Sequence, residues 1–278
     1  MMSRQPQGRE PVRIGIAGLG AIGLKVARQL DEGCVEGVSL VAVASRDVDK
    51  ARSAVASLTS VPRVVQLPEL SSQADIIVDC TPASVFREVA GPVVGAGGTL
   101  LPLSVAALLD HMDLVEQARA TGARIIVPTG AIIGLDTVRA MAVGEIERVT
   151  LMTRKPPRGL AGAPHLVANH IDVSDLKEPL LVFKGTAREA ARGFPANVNV
   201  AAALALAGIG PDRTEVEVWA DPGIDRNIQS VTIISDSGEA TMTMKNIPSD
   251  ENPRTGRIVA NSVIATLRRL TSPLIAGS

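Results

Sequence analysis

A doubly wound parallel α/β sheet, followed by an α+β domain with a mostly antiparallel sheet, is the architecture that these 278 residues predict. Three observations carry it. At residues 13–23, RIGIAGLGAIG, an apolar strand runs into a glycine turn and then a helical pattern. Short continuous apolar strands alternate with helical stretches as far as Pro128, as βαβ units do. From Ile146 onward the strands switch to apolar–polar alternation, the pattern of a sheet covered on one face.

Gly18, Gly20 and Gly23 stand at G-x-G-x-x-G spacing after the apolar run Ile14, Ile16 and Ala17. Gly18 permits the tight turn, Gly20 lets backbone approach a pyrophosphate, and Gly23 lets the helix pack on the strand. The helix opened by Ala21 and Ile22 offers its amide end to the phosphates. Glycine turns are common, and the same spacing also occurs in turns of purely structural use. The strand before and the helix after supply the context a Rossmann-type dinucleotide site requires.

Residues 38–45 form the second strand, and its end reads Ser45-Arg46-Asp47. An NAD-selective site has an acidic residue there for the ribose 2′-hydroxyl, whereas Ser45 and Arg46 suit a 2′-phosphate and lean towards NADP. Alternatively Arg46 is a solvated charge and Asp47 caps the helix over 47–58. Strands at 63–65 and 74–79 follow, the latter running into Cys80-Thr81-Pro82, where this fold lays the nicotinamide ribose and where Pro also suits a helix start. A helix over 84–95, a strand over 97–102 ending near Ser104, a helix over 106–121 closed by Gly122 and a strand over 123–128 complete the first sheet.

A helix over 134–144 then leads to alternating strands at 149–153, 180–184, 215–220, 230–235 and 240–245, with helices at 187–192 and 198–207. Asp236-Ser237-Gly238 reads as a hairpin turn. Residues 246–256, with Pro248 and Pro253, form a loop, and residues 257–270 an amphipathic helix that returns to the first domain. The expected division is a dinucleotide domain at 1–128, a substrate domain at 129–256 and the returning helix at 257–278, with the site in the cleft.

Composition narrows the function. Net charge is −1, without a long charge block, and three Phe, one Trp and no Tyr leave few stacking platforms, so no nucleic-acid partner is expected. No apolar stretch of membrane-spanning length occurs, and the polar amino-terminal residues do not read as a signal peptide, so no membrane partner and a cytoplasmic address are expected. Cys34, Cys80, His111, His165 and His170 show no metal-ligand spacing, so no metal is expected. Scarce aromatics suit a pocket for a small polar substrate.

Longer segments carry a resemblance. GLGAIG, TGAIIGLD at 129–136, TRKPP at 153–157, GTAREAARGFPANVNVAAALALAG at 185–208, DPGIDRN at 221–227 and NIPSDENPRTGR at 246–257 together make the chain resemble the L-aspartate dehydrogenase family over nearly its whole length. The resemblance implies oxidation of L-aspartate to iminosuccinate with NAD or NADP, an amino or keto acid as the small-molecule partner, and a homodimer built on the second sheet. It also implies cofactor contacts at Ala131 and Asn199. Ala131 lies in a glycine-bordered turn, and Asn199 offers both donor and acceptor for a carboxamide. Asn197 and Asn199 read equally as helix caps, the preferred reading for Asn197. Arg154 and Lys155 follow a strand end and suit a substrate carboxylate, or else a solvated turn.

One position departs. The resemblance implies a catalytic histidine where Arg226-Asn227-Ile228-Gln229 has Gln229. Oxidation of an amino acid requires a proton to leave the ammonium group, and glutamine only makes hydrogen bonds. Three readings follow: Lys155, His165 or His170 supplies the proton; Gln229 orients an imine or a different carbonyl substrate for reduction; or the chain binds a dinucleotide without turnover.

Overall fold

The computed structural model describes residues 10–195, 198–252 and 255–277; the cap expected at Asn197 and the loop position of Pro253 fall outside the described residues. The first sheet contains β1 (Val12–Ala17), β2 (Val38–Ala44), β3 (Arg63–Val65), β4 (Ile76–Asp79), β5 (Thr99–Pro102) and β6 (Arg124–Ile125). All pairings are parallel, in the order β3-β2-β1-β4-β5-β6. The order reverses between β1 and β4, the switch point at whose carboxyl edge such sheets bind ligands. Ile14, Ile16 and Ala17 of β1 are fully buried, because helices cover both faces.

The second sheet contains β7 (Ile146–Lys155), β8 (Leu180–Thr186), β9 (Thr214–Ala220), β10 (Ile228–Ser235) and β11 (Gly238–Lys245), in the order β11-β10-β7-β9-β8. Only β7 and β9 run parallel; the other three pairings are antiparallel. One face is covered, and from β7 it receives Val149, Leu151, Thr153 and Lys155 at every second residue. The helix Asn199–Ala207 packs in the same core, its small residues permitting close approach.

Several elements differ from the sequence expectation. The helix over 106–121 is two helices, Val105–Leu108 and Asp113–Thr121. Between them the amides of Leu109, Asp110 and His111 bond carbonyls three residues back, which tightens the chain out of the α-helical ladder. Val105, Ala106 and Leu109 join the core of the second sheet, although in sequence they precede residue 128. Only Arg124–Ile125 of the 123–128 stretch pairs as a strand. Short helices at Leu70–Gln73 and Pro164–Ala168 carry too little periodicity to be read from sequence. The terminal helix, Ile258–Thr271, lies on the first domain: Val263, Ile264 and Leu267 share a core with Ile14, Val26 and Leu30, and Arg268 Nε donates to the Cys34 carbonyl at 2.6 Å. No helix among the described residues is long and apolar enough to cross a membrane.

Asp79 ends β4 fully buried. Its Oδ1 accepts from the Thr81 amide (2.9 Å) and hydroxyl (2.6 Å), but Oδ2 has no partner. Burial pushes the carboxyl pKa up to about 6, against the two Thr81 hydrogen bonds that lower it. An acid with a raised folded-state pKa holds its proton more tightly when folded. Its charge therefore costs stability as pH rises from about 4, in full above about 6, by an order of roughly 3 kcal/mol. Asp79→Asn keeps the Oδ1 acceptor. It is expected to raise unfolding free energy by about 1–2 kcal/mol at pH 7.5 and to confer no advantage at pH 4, as paired denaturant titrations would show.

Candidate functional site

The glycine turn is built by close approach. Gly18 has φ +85°, and a Cβ there would lie 3.0 Å from the Cys80 carbonyl. A Cβ on Gly23 would lie 1.9 Å from the Gly18 oxygen, so the helix Ala21–Asp31 can sit on this turn only without a side chain there. Gly20 differs: no atom lies within 4 Å of its ideal Cβ. It is the N-cap of that helix, with no side-chain cap and no acidic residue in the first turn. The amides of Ala21, Ile22 and Gly23 thus open a helix end with no competing anion, which fits a pyrophosphate.

At the end of β2, Ser45 is half-buried and Arg46 exposed. Asp47 caps the helix Val48–Val55, its Oδ1 accepting from the Lys50 amide at 2.9 Å. Arg46 has no hydrogen bond or ion pair among the described residues. At the neighbouring strand ends, Cys80, Thr81 and exposed Pro82 follow β4, and Ser104 Oγ donates to the Thr81 carbonyl at 2.6 Å. That bond and the Thr81–Asp79 contact occupy both hydroxyls, so Thr81 and Ser104 shape the strand ends with their hydroxyls already engaged.

A cavity of about 140 Å³ lies where this edge meets the covered face of the second sheet. Ile22 and Leu103 bound it on one side, and Lys155, Asn199, Asn227 and Gln229 on the other; Gly130, Ala131, Asn246 and Val259 close it. Drug-sized pockets begin near roughly 300 Å³, so this one suits a small acid. Gln229 pairs with Thr153 in the β10–β7 ladder, and Lys155 stands two residues further along the same face. Lys155 is 4% exposed, and burial draws its pKa down to about 8. It is the one titratable side chain among the described residues that line the cavity.

The solvated-turn alternative for Lys155 is thereby corrected: the period of β7 turns it inward. Arg154 faces the other way, ion-pairs with Asp221, which is 2% exposed, and does not line the cavity. Asn199 opens its own helix but caps another, its Oδ1 accepting from the Ala106 amide at 3.0 Å. Its acceptor is thus occupied, and its N–H₂ remains. No histidine lines the cavity. His165 packs on Phe183 and Phe194 at centroid distances of 5.2 and 5.4 Å, His170 is exposed, and His111 stacks on Phe86. The wider depression of about 720 Å³ beside His165 is open and remote from the glycine turn.

Sequence reasoning missed Asn246. It is 2% exposed, and its Nδ2 donates to the Ala131 carbonyl (3.1 Å) and to Gln229 Oε1. Its presence in the NIPSDENPRTGR segment was the available signal. Among the described residues no group of three or more His, Cys, Asp or Glu is disposed to hold a metal ion.

Residues 136–270 match the family model described as aspartate dehydrogenase, C-terminal, and residues 18–128 match homoserine dehydrogenase, NAD binding domain. The L-aspartate dehydrogenase of Bradyrhizobium diazoefficiens is 52% identical over 96% of this chain and 94% of its own length. L-aspartate dehydrogenase 3 of Bordetella bronchiseptica is 49% identical over 97% and 99%. The crystal structure of aspartate dehydrogenase from Thermotoga maritima superposes with a TM-score of 0.74 at 26% identity, covering 96% of this chain and 99% of that one.

The two glycines separate fold from binding. Gly20→Ala is expected to leave the thermal midpoint unchanged, since no atom lies within 4 Å of its ideal Cβ, but to weaken dinucleotide binding at least about tenfold by calorimetry, because its methyl group would stand where a pyrophosphate is expected. Gly23→Ala is expected to destabilise the fold itself by about 2 kcal/mol or more, through overpacking against the Gly18 carbonyl.

Proposed function

The chain belongs to the aspartate dehydrogenase family, and from that premise we propose how its own residues carry the reaction. It is an NAD(P)-dependent oxidoreductase acting on the CH–NH₂ group of L-aspartate. The bound nicotinamide supplies the chemistry of accepting a hydride from the substrate Cα. In our reading Gly18, Gly20, Ala21, Ile22 and Gly23 hold its pyrophosphate, and Ala131 and Asn199 border the nicotinamide end. Cys80, Thr81, Pro82 and Ser104 shape the floor beneath the ribose.

Lys155 is the proposed general base. An ammonium nitrogen has no lone pair to form a C=N bond, so a proton must leave before hydride does. The neutral Lys155 amine takes that proton and becomes an ammonium; the freed lone pair of the substrate then forms the protonated imine, C=NH₂⁺, as the Cα hydride departs, and its extra proton passes to water on hydrolysis. Addition of water to the imine gives oxaloacetate and ammonia, with the Lys155 ammonium able to return its proton to the leaving nitrogen. The observation that supports this most is that a buried amine, its pKa drawn down to about 8, is the titratable group lining the cavity among the described residues. Gln229 contributes hydrogen bonds and no proton transfer. Exposed Arg46, without a protein partner among the described residues, supports a preference for NADP. A homodimer and a cytoplasmic address complete the reading.

The base form of Lys155 fills as pH rises through its pKa. Wild-type kcat/KM for L-aspartate oxidation is therefore expected to climb with pH and level off above about 8. Lys155→Met is expected to abolish that limb and lower kcat by about 10²–10⁴ while the dinucleotide still binds; an unchanged pH profile in steady-state assays would overturn the assignment. Arg46→Ala is expected to weaken NADP binding about tenfold and leave NAD binding within about twofold, measured by fluorescence titration.

A further inference from the structure

The hydrogen bonds around Gln229 fix which end of its amide meets the ligand. The Ala131 carbonyl can only accept, so the Asn246 atom 3.1 Å from it is the N–H₂ group. The same nitrogen meets Gln229, which must therefore offer its oxygen. Gln229 Oε1 is thus engaged. Its Nε2 has no protein partner among the described residues, and the side chain, 5% exposed, lines the cavity. Around the same cavity the Ala106 amide can only donate. It takes Asn199 Oδ1 and leaves the Asn199 N–H₂. Two amides that each carry a donor and an acceptor are in this way both reduced to donors.

We propose that Asn246 is a positioning residue which holds the Gln229 amide with its N–H₂ towards the cavity, making Gln229 a donor to a carboxylate oxygen of the acid substrate. This deepens the aspartate reading and rests on it. A histidine in the same place could present a protonated or a bare nitrogen according to pH; the Asn246–Gln229 pair presents a donor at every pH. The Asn246 backbone is held as well, its amide donating to the Asn227 carbonyl at 2.9 Å at the mouth of the β10–β11 ladder. Gly256 packs so closely that a Cβ there would lie 3.0 Å from Asn246 Oδ1, which leaves the side chain little freedom to turn.

The test is a double-mutant cycle read by steady-state kinetics, with NAD(P) affinity measured in parallel. Asn246→Asp sets an acceptor against Gln229 Oε1. The amide should rotate and present oxygen to the substrate carboxylate. KM for L-aspartate should rise about 10- to 100-fold, the range of a hydrogen bond to a charged group, with the dinucleotide dissociation constant within about twofold. Gln229→Met should raise KM comparably, and adding Asn246→Asp to Gln229→Met should cost little more, because the group through which Asn246 acts is already gone. Independent, multiplying effects in the double mutant, or a parallel loss of dinucleotide affinity in Asn246→Asp, would overturn the proposal and assign Asn246 to support of the Ala131 loop. Failure of the wild-type protein to oxidise L-aspartate with either dinucleotide would instead overturn the functional reading on which it stands.

Discussion

The two-residue period of a strand decides what this protein can do. Val149 and Leu151 must face the covered side of β7 to build a core, and Thr153 and Lys155 then follow to the same side. Past Leu151 the covering helices give way to a cavity, and the same face that buried hydrocarbon delivers an amine. Desolvation disfavours the ammonium and draws the pKa down towards neutrality. Moving the register by one residue would exchange Lys155 for Arg154, whose guanidinium stays charged at any useful pH. Fold stability and proton chemistry here share one constraint.

The second requirement is that two separately built cores meet at a fixed distance. Among the described residues, three side-chain hydrogen bonds are gathered at or beside the seam. Ser262 Oγ, on the terminal helix, receives the Gly130 amide at 3.1 Å; Asn199 receives the Ala106 amide; Asn246 reaches the Ala131 carbonyl. Each ties loop or helix-end backbone, which has no ladder of its own, to a side chain on a helix or, for Asn246, just past the end of β11. In the helix Val105–Leu108, Val105 and Ala106 pack in the core of the second sheet and Ala107 and Leu108 in that of the first, so it anchors both.

What the sequence disclosed follows from how local each signal is. The glycine turn was legible because three glycines serve three separate steric needs within six positions, and Gly18 and Gly23 do meet backbone or carbonyl atoms where a side chain would stand. The two sheets were legible because burial on both faces and burial on one write different periods. The break after Leu108 was not, since the apolar spacing runs on through Leu109 and Leu114, and only hydrogen-bond geometry shows the tightened turn. In the sequence the direction of Lys155 stays open between a turn and a site, because it depends on where β7 ends. Asn246 carries no signal of its own beyond its place in the NIPSDENPRTGR segment: a polar residue after an alternating strand reads as a turn, and its contact with Ala131 joins residues 115 apart in sequence.

Gln229 also shows how a cavity that no histidine lines can keep part of a histidine's work. A general acid–base group does two separable jobs, holding an oxygen or nitrogen in place and carrying its proton. A neutral amide can keep the first if its orientation is fixed, and here a backbone carbonyl fixes it through one intervening asparagine. The second needs a group that titrates near the working pH; in the proposed reading that group is Lys155, whose pKa burial draws down to about 8. A lysine near pH 8 is a weaker competitor for protons below neutrality than above it, so dividing the jobs in this way favours oxidation of the amine in alkaline conditions. In acid, by the same proposed reading, the protonated Lys155 becomes one more donor in a cavity whose two oriented amides already present N–H groups, a lining suited to hold a dicarboxylate and poorly suited to deprotonate its ammonium.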